Sequence, residues 1–359
     1  MTLISMKRLL IGLALVMTVG ASNAGLRRRA VTTPGEVKGI TATLIAAPQV
    51  VVVNGVPNMA WEILVRNDRS QEINLDSVEV GTIASYAGDA LRERILNVPL
   101  RHPASSTPRS LIRPGEVAVI YFLLATPDVP SVLSHVIRFG AESLRGPEAV
   151  VRTDPPVVLS APLRGGSWAS INGLHNDSPH RRAVYLLNGR FTIAQRYAID
   201  WVQVDARGSS YTGDVRRNSS FYAYGEDLLA SADGVVTATR DGIPDNIPGQ
   251  VPVVPITLET ITGNYVLLHL SGNHYALYAH LQPGSLRVRQ GDRVTKGTVL
   301  GLVGNSGNST EPHLHFHLCD ANATLACEGL PYVYDHFSTA AGPKQFELPG
   351  DGVIVDFQN

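Results

Sequence analysis

Three histidines alternate with two apolar residues in the segment TEPHLHFHLC, where His313, His315 and His317 are separated by Leu314 and Phe316. Successive side chains of a β-strand point to opposite faces, so the imidazoles would share one face and the apolar pair the other. Neutral imidazole is the commonest metal ligand and a good acid–base group. The spacing therefore predicts a metal or acid–base site, with a hydrogen-bonded polar sheet face as the alternative.

The residues that precede these histidines extend the pattern. Residues 275–318 read YALYAHLQPGSLRVRQGDRVTKGTVLGLVGNSGNSTEPHLHFHL. This segment closely resembles the core of the M23 zinc metallopeptidases of the lysostaphin and LytM type. These carry a tyrosine–small–His–Leu strand, a V-x-x-G-D-x-V-x-x-G-x-x-[IL]-G segment and a G-N-[ST]-G-x-[ST]-x-x-P-H-L-H-F ending, and all three occur here in order. The resemblance covers about residues 225–320 well and 165–224 loosely, and it does not reach the N-terminal 150 residues.

The resemblance implies a role for each matching residue. His315, the second histidine of the HLH pair, would bind zinc. His313 and His280 would be the catalytic histidines beside the metal. Asp200, in the segment AIDWVQVD, would be the aspartate ligand, with Asp205 as the alternative.

The histidine ligand that usually precedes this aspartate by four residues is missing. Position 196 is Arg, and a guanidinium has no lone pair to offer a metal. His175 and His180 are the candidates that remain. A continuous hairpin register would put His175 on the face of Asp200, but Pro179 cannot donate to a ladder and interrupts that register. The His-Arg-Arg-Ala text also resembles family members with a longer gap. We therefore predict His180 as the ligand, keeping His175, or a solvated loop position for His180, as alternatives.

The resemblance also implies an activity. If His180, Asp200 and His315 hold Zn²⁺, one coordination position stays open for water, as in catalytic zinc sites. The expected protein is an exported zinc metalloendopeptidase that hydrolyses peptide bonds in bacterial peptidoglycan by metal-activated water. Arg196 keeps open an alternative, a catalytically inactive LytM-type regulator that binds cell wall and activates amidases. A general exported protease with the same chemistry is a third interpretation.

The other candidate residues have mainly structural interpretations. His317 stands where the family often has Glu, and we expect it to support a ligand. Tyr278 could assist catalysis or simply pack in the core. Cys319 and Cys327 are expected to close a small loop as a disulfide in an exported protein. Five further histidines are predicted to be structural or surface residues: His102, His135, His269, His274 and His336.

The elements that must position these residues are predicted to be strands. Short apolar runs such as AWEILVRN, broken by Gly and Pro, predict an all-β protein with an immunoglobulin-like sandwich over residues 25–152. Residues 153–166, rich in Pro and Gly, form the predicted linker. Residues 167–340 would be the mainly antiparallel β peptidase domain of the M23 type, and 341–359 a C-terminal tail. The Asn-Gly pair in AVYLLNGRFTIA predicts a hairpin.

The first 24 residues have the pattern of a secretory signal peptide. Lys7 and Arg8 precede the apolar run LLIGLALVMTVG and the small-residue segment ASNA. Cleavage after Ala24 would leave a periplasmic or secreted protein with no membrane span, and an uncleaved anchor is the alternative. The formal net charge is −1, without a basic cluster, which argues against nucleic acid as a partner. The expected partner is peptidoglycan, and the oligomeric state is not predicted.

Overall fold

The computed structural model describes residues 35–98 and 110–357 of the chain. Within these ranges almost every regular element is a β-strand, which confirms the all-β prediction. Two short α-helices interrupt the strands, and neither is long and apolar enough to cross a bilayer. The predicted signal peptide and His102 lie outside the described residues.

The described part of the N-terminal half is built on two larger antiparallel sheets, with two small two-stranded sheets beside them. Its elements are β1 (Gly35–Val37), β2 (Ile40–Leu44), β3 (Val50–Val53), β4 (Val56–Asn67), β5 (Ile73–Asn74), β6 (Ser77–Val80), β7 (Ala84–Ala87), α1 (Gly88–Arg92), β8 (Ile95–Val98), β9 (Leu111–Ile112), β10 (Val117–Ala125), β11 (Val132–Leu133), β12 (His135–Phe139), β13 (Glu142–Arg145) and β14 (Ala149–Val150). One larger sheet has the order β1-β2-β4-β10-β8, with β3 also paired to β4, and the other has the order β13-β12-β6-β7. The two small sheets are β5-β9 and β11-β14. The immunoglobulin-like connectivity stays a prediction.

Strand β4 has two buried faces that serve different purposes. Trp61 and Ile63 point into an apolar cluster shared with Ile137 of β12, and this cluster joins the two sheets into a sandwich. Ala60 and Glu62 alternate with them and therefore point to the opposite face. That face meets the second half of the chain, since Ala60 belongs to the cluster that forms its core.

His135 is an uncharged histidine inside the sandwich. The Trp61 indole N–H donates to His135 Nε2 at 3.0 Å, and His135 Nδ1 donates to the Pro147 carbonyl at 2.7 Å. Burial lowers the pKa of His135, against the smaller opposing effect of the bond to Pro147. The neutral imidazole satisfies both neighbours, and a proton on Nε2 would remove the acceptor of the Trp61 bond.

We expect this histidine to make the sandwich sensitive to acid. Its folded-state pKa is lowered, so the stabilisation is complete above the unfolded pKa of about 6.5 and is lost as the pH falls below it. The melting temperature of wild type should fall more between about pH 7.5 and about pH 5, on either side of that pKa, than that of His135→Gln, which still accepts from Trp61. Parallel losses in the two proteins would contradict this assignment.

The second half is built on one large sheet. Its elements are β15 (Val157–Leu159), β16 (Gly165–Ile171), α2 (Pro179–Arg182), β17 (Tyr185–Leu187), β18 (Arg190–Thr192), β19 (Ile199–Gln203), β20 (Asp227–Leu229), β21 (Gly234–Arg240), β22 (Asn264–His269), β23 (Tyr275–Leu281), β24 (Arg293–Val294), β25 (Val299–Leu302), β26 (Leu314–Cys319), β27 (Tyr332–Tyr334), β28 (Phe337–Thr339), β29 (Gly342–Lys344) and β30 (Ile354–Phe357). The sheet has ten strands in the order β24-β21-β22-β23-β26-β19-β16-β30-β28-β29.

Strand β26 carries the histidine segment through the middle of this sheet. His315 lies opposite Asp200 of β19 on one side and Ala279 of β23 on the other. Leu314 and Phe316 belong to the main apolar core of this half. The predicted alternation of imidazoles and apolar side chains along β26 is therefore confirmed.

The predicted hairpin is also confirmed, with Leu187 of β17 opposite Arg190 of β18. It ends well short of His180, because residues 179–182 form helix α2 instead of a strand. Pro179 begins this helix, where its missing N–H removes no intrahelical bond. The strand register is therefore interrupted at Pro179, as predicted, and a helical turn sets the direction of the His180 side chain.

Residues 341–359 were expected to be a C-terminal tail. Their described part contains β29 and β30, and Ile354 of β30 pairs with Ala169 of β16. This segment therefore contributes an interior strand, β30, and an edge strand, β29, to the ten-stranded sheet.

Candidate metal centre

Three side chains bring possible ligand atoms to one point. His180 Nε2 lies 3.2 Å from Asp200 Oδ2, and His315 Nδ1 lies 2.9 Å from Asp200 Oδ1. One donor atom from each residue lies within 4.8 Å of the others, and all three residues are buried. These are the three residues that the sequence analysis predicts as metal ligands.

The donor atoms fit a divalent cation. His180 Nδ1 lies 3.0 Å from the carbonyl oxygen of Asn172, which can only accept, so a neutral ring presents its Nε2 lone pair to Asp200. A lone pair and a carboxylate oxygen so close together repel each other unless a cation, either a proton or a metal ion, lies between them. Ligand atoms about 2.1 Å from a tetrahedral zinc ion are about 3.4 Å apart. The separations of 2.9 and 3.2 Å, each to a different oxygen of Asp200, are somewhat shorter than that value.

Asn172 is a functional residue that sequence reasoning missed. Its carbonyl accepts from His180 Nδ1, and its side-chain Nδ2 donates to Asp200 Oδ2 at 2.8 Å. Asn172 has a φ of 57°, a left-handed conformation that Asn tolerates better than most residues. The sequence signal for Asn172 was the Asn-Gly pair that follows β16. This pair predicts a turn, but it does not predict that the turn binds His180 and Asp200.

His280 reaches the site because β23 is irregular at its end. Ala279 and Leu281 pair with successive residues of β22, so His280 between them is an extra, bulged residue. Its φ of 66° lies in the left-handed region. Regular alternation would place His280 on the core face with Tyr278. The bulge turns it instead toward His315, with the ring centroids 5.7 Å apart.

His280 and His313 form a pair with the same orientation. His280 Nδ1 donates to the Ser306 carbonyl at 2.8 Å, and His313 Nδ1 donates to the Glu311 carbonyl at 2.8 Å. Their ring centroids are 4.9 Å apart, and His313 Nε2 lies 3.5 Å from Asp200 Oδ1. Because each Nδ1 is occupied as a donor, each neutral ring keeps Nε2 free to accept a proton.

The G-N-S-G turn that carries Ser306 depends on close backbone approach. Gly307 has a φ of 75°, and a Cβ added there would lie 2.3 Å from the backbone nitrogen of Gly263. Only glycine therefore allows this turn to pack against the end of β22. This packing sets the position of the Ser306 carbonyl that holds His280.

The charges of the site follow from burial and from the carboxylate. Burial alone would raise the pKa of Asp200, but His180 and His313 outweigh it and hold that pKa well below its usual range. Burial lowers the pKa of His315 to about 4, although Asp200 opposes this shift. Burial, with His313 and His315 nearby, also holds the pKa of His280 well below its usual value. The site therefore contains an ionised carboxylate at Asp200 and a neutral imidazole at His315, the states in which these two groups bind metal.

His317 lies behind the ligand. Its Nδ1 is 2.9 Å from His315 Nε2, so it can fix the ring of His315 with Nδ1 toward Asp200, the supporting position expected for it. Burial holds the pKa of His317 well below its usual value. Farther along β26, Cys319 forms the expected disulfide with Cys327, which ties the end of the strand to the next loop.

Several residues that the sequence analysis considered for ligand or catalytic roles lie away from the site. His175 contacts Asp177 and Asp351 instead of Asp200. Asp205 caps an exposed turn by accepting from the backbone of Ser209. Tyr278 is in the core, where its hydroxyl bonds Ser231. The other described histidines with structural interpretations also have partners outside the site: His135, His269, His274 and His336.

Arg196, at the usual position of the first ligand, points away from Asp200. It is 3% exposed, and its Nε donates to Glu62 Oε2 at 2.9 Å. Another guanidinium nitrogen donates to Glu328 Oε2 at 2.9 Å. Burial alone would lower the pKa of Arg196, but the two carboxylates raise it. Arg196 is therefore a charged structural residue here, and His180 occupies the space near Asp200.

Part of this chain is similar to known peptidases. Residues 220–326 match Peptidase family M23. Peptidoglycan DD-endopeptidase ShyA of Vibrio cholerae is 32% identical over 94 residues, which are 26% of this chain and 17% of that protein. An uncharacterized metalloprotease of Haemophilus influenzae is 30% identical over 149 residues, which are 37% of this chain and 28% of that protein. The chain thus spans less than a third of the length of these curated relatives.

Solved structures show more distant likeness. The catalytic domain of lysostaphin from Staphylococcus simulans is 23% identical, covering 33% of this chain and 86% of that domain, with a TM-score of 0.21. A zinc-containing peptidase from Vibrio cholerae is 15% identical, covering 75% of this chain and 80% of that chain, with a TM-score of 0.27.

Proposed function

We propose that this chain, which carries a domain of peptidase family M23, is an exported zinc metalloendopeptidase that hydrolyses peptide bonds in bacterial peptidoglycan. The observation that carries the proposal is the convergence of His180, Asp200 and His315 on one point, beside two histidines whose Nδ1 atoms are held by backbone carbonyls. Two imidazoles and one carboxylate form a ligand set of the kind found in catalytic zinc sites.

The chain's own residues would supply binding, orientation and proton transfer. His180, Asp200 and His315 would hold zinc, which when bound would supply a Lewis acid that acidifies water and polarises the scissile carbonyl. His280 and His313 would accept the proton of the attacking water at Nε2, or donate from Nε2 to the developing oxyanion once protonated. Their Nδ1 bonds to the Ser306 and Glu311 carbonyls keep both rings aimed at the site during this transfer.

Peptidoglycan as the substrate rests on the relatives, three of which are named as peptidoglycan DD-endopeptidases of Vibrio cholerae. The expected signal peptide agrees with a substrate outside the cytoplasm. The N-terminal sandwich would position the substrate, dock to the wall or shield the groove.

The proposal is tested by metal analysis and by peptide release. The purified full chain is expected to contain zinc and to release peptides from purified peptidoglycan. A chelator should abolish the release, and added Zn²⁺ should restore it, because zinc binding supplies the reaction's Lewis acid. Casein serves as the control substrate, since faster cleavage of casein would favour a general protease. A protein that takes up no metal, releases nothing and still activates a wall amidase would be the regulator considered above, and the proposal would be wrong.

A further inference from the structure

A buried ionic network joins the N-terminal sandwich to the candidate metal centre. Glu62 of β4 is fully buried, and it accepts hydrogen bonds from two arginines of the second half. Arg181 donates to Glu62 Oε1 from Nε at 3.2 Å and from its terminal nitrogen at 2.6 Å. Arg196 donates to Glu62 Oε2 at 2.9 Å and also to Glu328. Two carboxylates and two guanidinium groups thus balance in charge inside the protein.

Further contacts fix the helix that carries Arg181. The same guanidinium donates to the carbonyl oxygens of Trp61 at 3.4 Å and of Phe122 at 3.1 Å, on the paired strands β4 and β10. Arg182 donates to the carbonyl of Glu93, next to the sandwich helix α1. Around the helix, side chains of both halves share one apolar cluster, which includes Val98, Val119, Tyr121, Val184 and Ile193.

Helix α2 needs this external support. It contains only four residues and has no side-chain cap at Ser178, and a helix of that length is not stable by itself. His180 lies on this helix directly beside Arg181. A ligand on a regular strand is held by the backbone ladder, whereas the position of His180 is determined by what anchors α2. The strongest anchor is the charge-assisted bond between Arg181 and the buried Glu62.

We propose that Glu62 is a positioning residue for the metal centre: through Arg181, the sandwich holds helix α2 so that His180 Nε2 points at Asp200. The inference rests on the proposed role of His180 as a ligand. In this arrangement the N-terminal sandwich helps to complete the site. Arg196 binds the Glu62 carboxylate of the sandwich, and His180 is placed near Asp200 by helix α2 instead. Removal of the Glu62 charge would release α2 and lower metal affinity without altering any ligand.

The test compares metal binding by three variants of the full chain. Apo protein would be titrated with Zn²⁺ against a chromophoric chelator, and with Co²⁺ while its visible absorption is recorded. Glu62→Gln is expected to weaken zinc affinity by about 10–100-fold, the range for residues that orient ligands, and to change the Co²⁺ spectrum. Glu62→Asp keeps the charge and should give a smaller loss, and it covers the case in which Glu62→Gln does not fold.

Ile137→Ala is the matched control, because it removes apolar side chain from the sandwich core without touching Glu62. We expect it to lower the melting temperature while wild-type metal affinity and Co²⁺ spectrum are kept. Equal weakening by Ile137→Ala, or unchanged affinity in both Glu62 variants, would overturn the positioning role. If wild type itself took up no metal, the proposed function would fail first, so the two failures are distinguishable.

Discussion

Replacing His315 with alanine is expected to remove metal binding and peptidase activity together. His315 is 3% exposed, and its Nδ1 lies 2.9 Å from Asp200 Oδ1, so the substitution removes one of the three candidate ligand atoms. Loss of a ligand should lower zinc affinity by more than the roughly 100-fold seen when an outer-shell partner is lost. Lewis-acid assistance is worth several kcal/mol, so peptide release should fall by about 10³-fold or more. Zinc content and release from purified peptidoglycan would be measured on the same preparation.

His175→Ala is the control for this experiment. His175 is near the site in sequence, but it contacts Asp177 and Asp351 instead of Asp200. We expect wild-type zinc content and activity from this variant, whereas His180→Ala should behave like His315→Ala. A His315→Ala protein that still bound zinc and cleaved would show that the site is elsewhere. Loss of zinc in His175→Ala but not in His180→Ala would assign the first ligand to His175.

Strand periodicity predicted that the imidazoles of β26 share one face, whereas the ligand roles of Asp200 and His315 came from the family resemblance. Along β26 the period of two separates His315 and His317 from Phe316, and the neighbouring strand places Asp200 opposite His315. The hairpin was predictable for the same local reason, since an Asn-Gly pair specifies its own turn. Wherever ladder geometry and turn chemistry determine a side chain's direction, a short segment of sequence contains the necessary information.

The remaining features depend on contacts between residues distant in sequence. Glu62 is separated from Arg196 by 134 positions, and no local pattern relates a lone Glu in AWEILVRN to the missing ligand. The position of His180 follows from α2, a helix too short for a periodic signal. His280 faces the site only because a bulge breaks the alternation of β23, and periodicity alone would have placed it in the core. Its assignment came from the family resemblance and not from geometry.

The two histidines outside the ligand trio are expected to affect chemistry and not metal content. His280→Asn and His313→Ala should each lower kcat by about 10²–10⁴-fold, the usual contribution of a positioned acid or base. Zinc affinity should stay near that of wild type, because neither ring belongs to the trio of His180, Asp200 and His315. Asparagine is chosen at position 280 since it tolerates the left-handed backbone there.

The double variant tests whether the two histidines act as a unit. Their ring centroids lie 4.9 Å apart, and both rings present Nε2 to the same space. They would therefore take part in successive proton transfers of one reaction. Residues that act together are strongly non-additive, and the double variant should be little slower than the slower single variant. If the reductions in kcat of the two single variants multiply in the double variant, the two histidines have independent roles. If both single variants lost zinc along with activity, His280 and His313 would support the ligands and the proton transfer would have to be assigned to other residues.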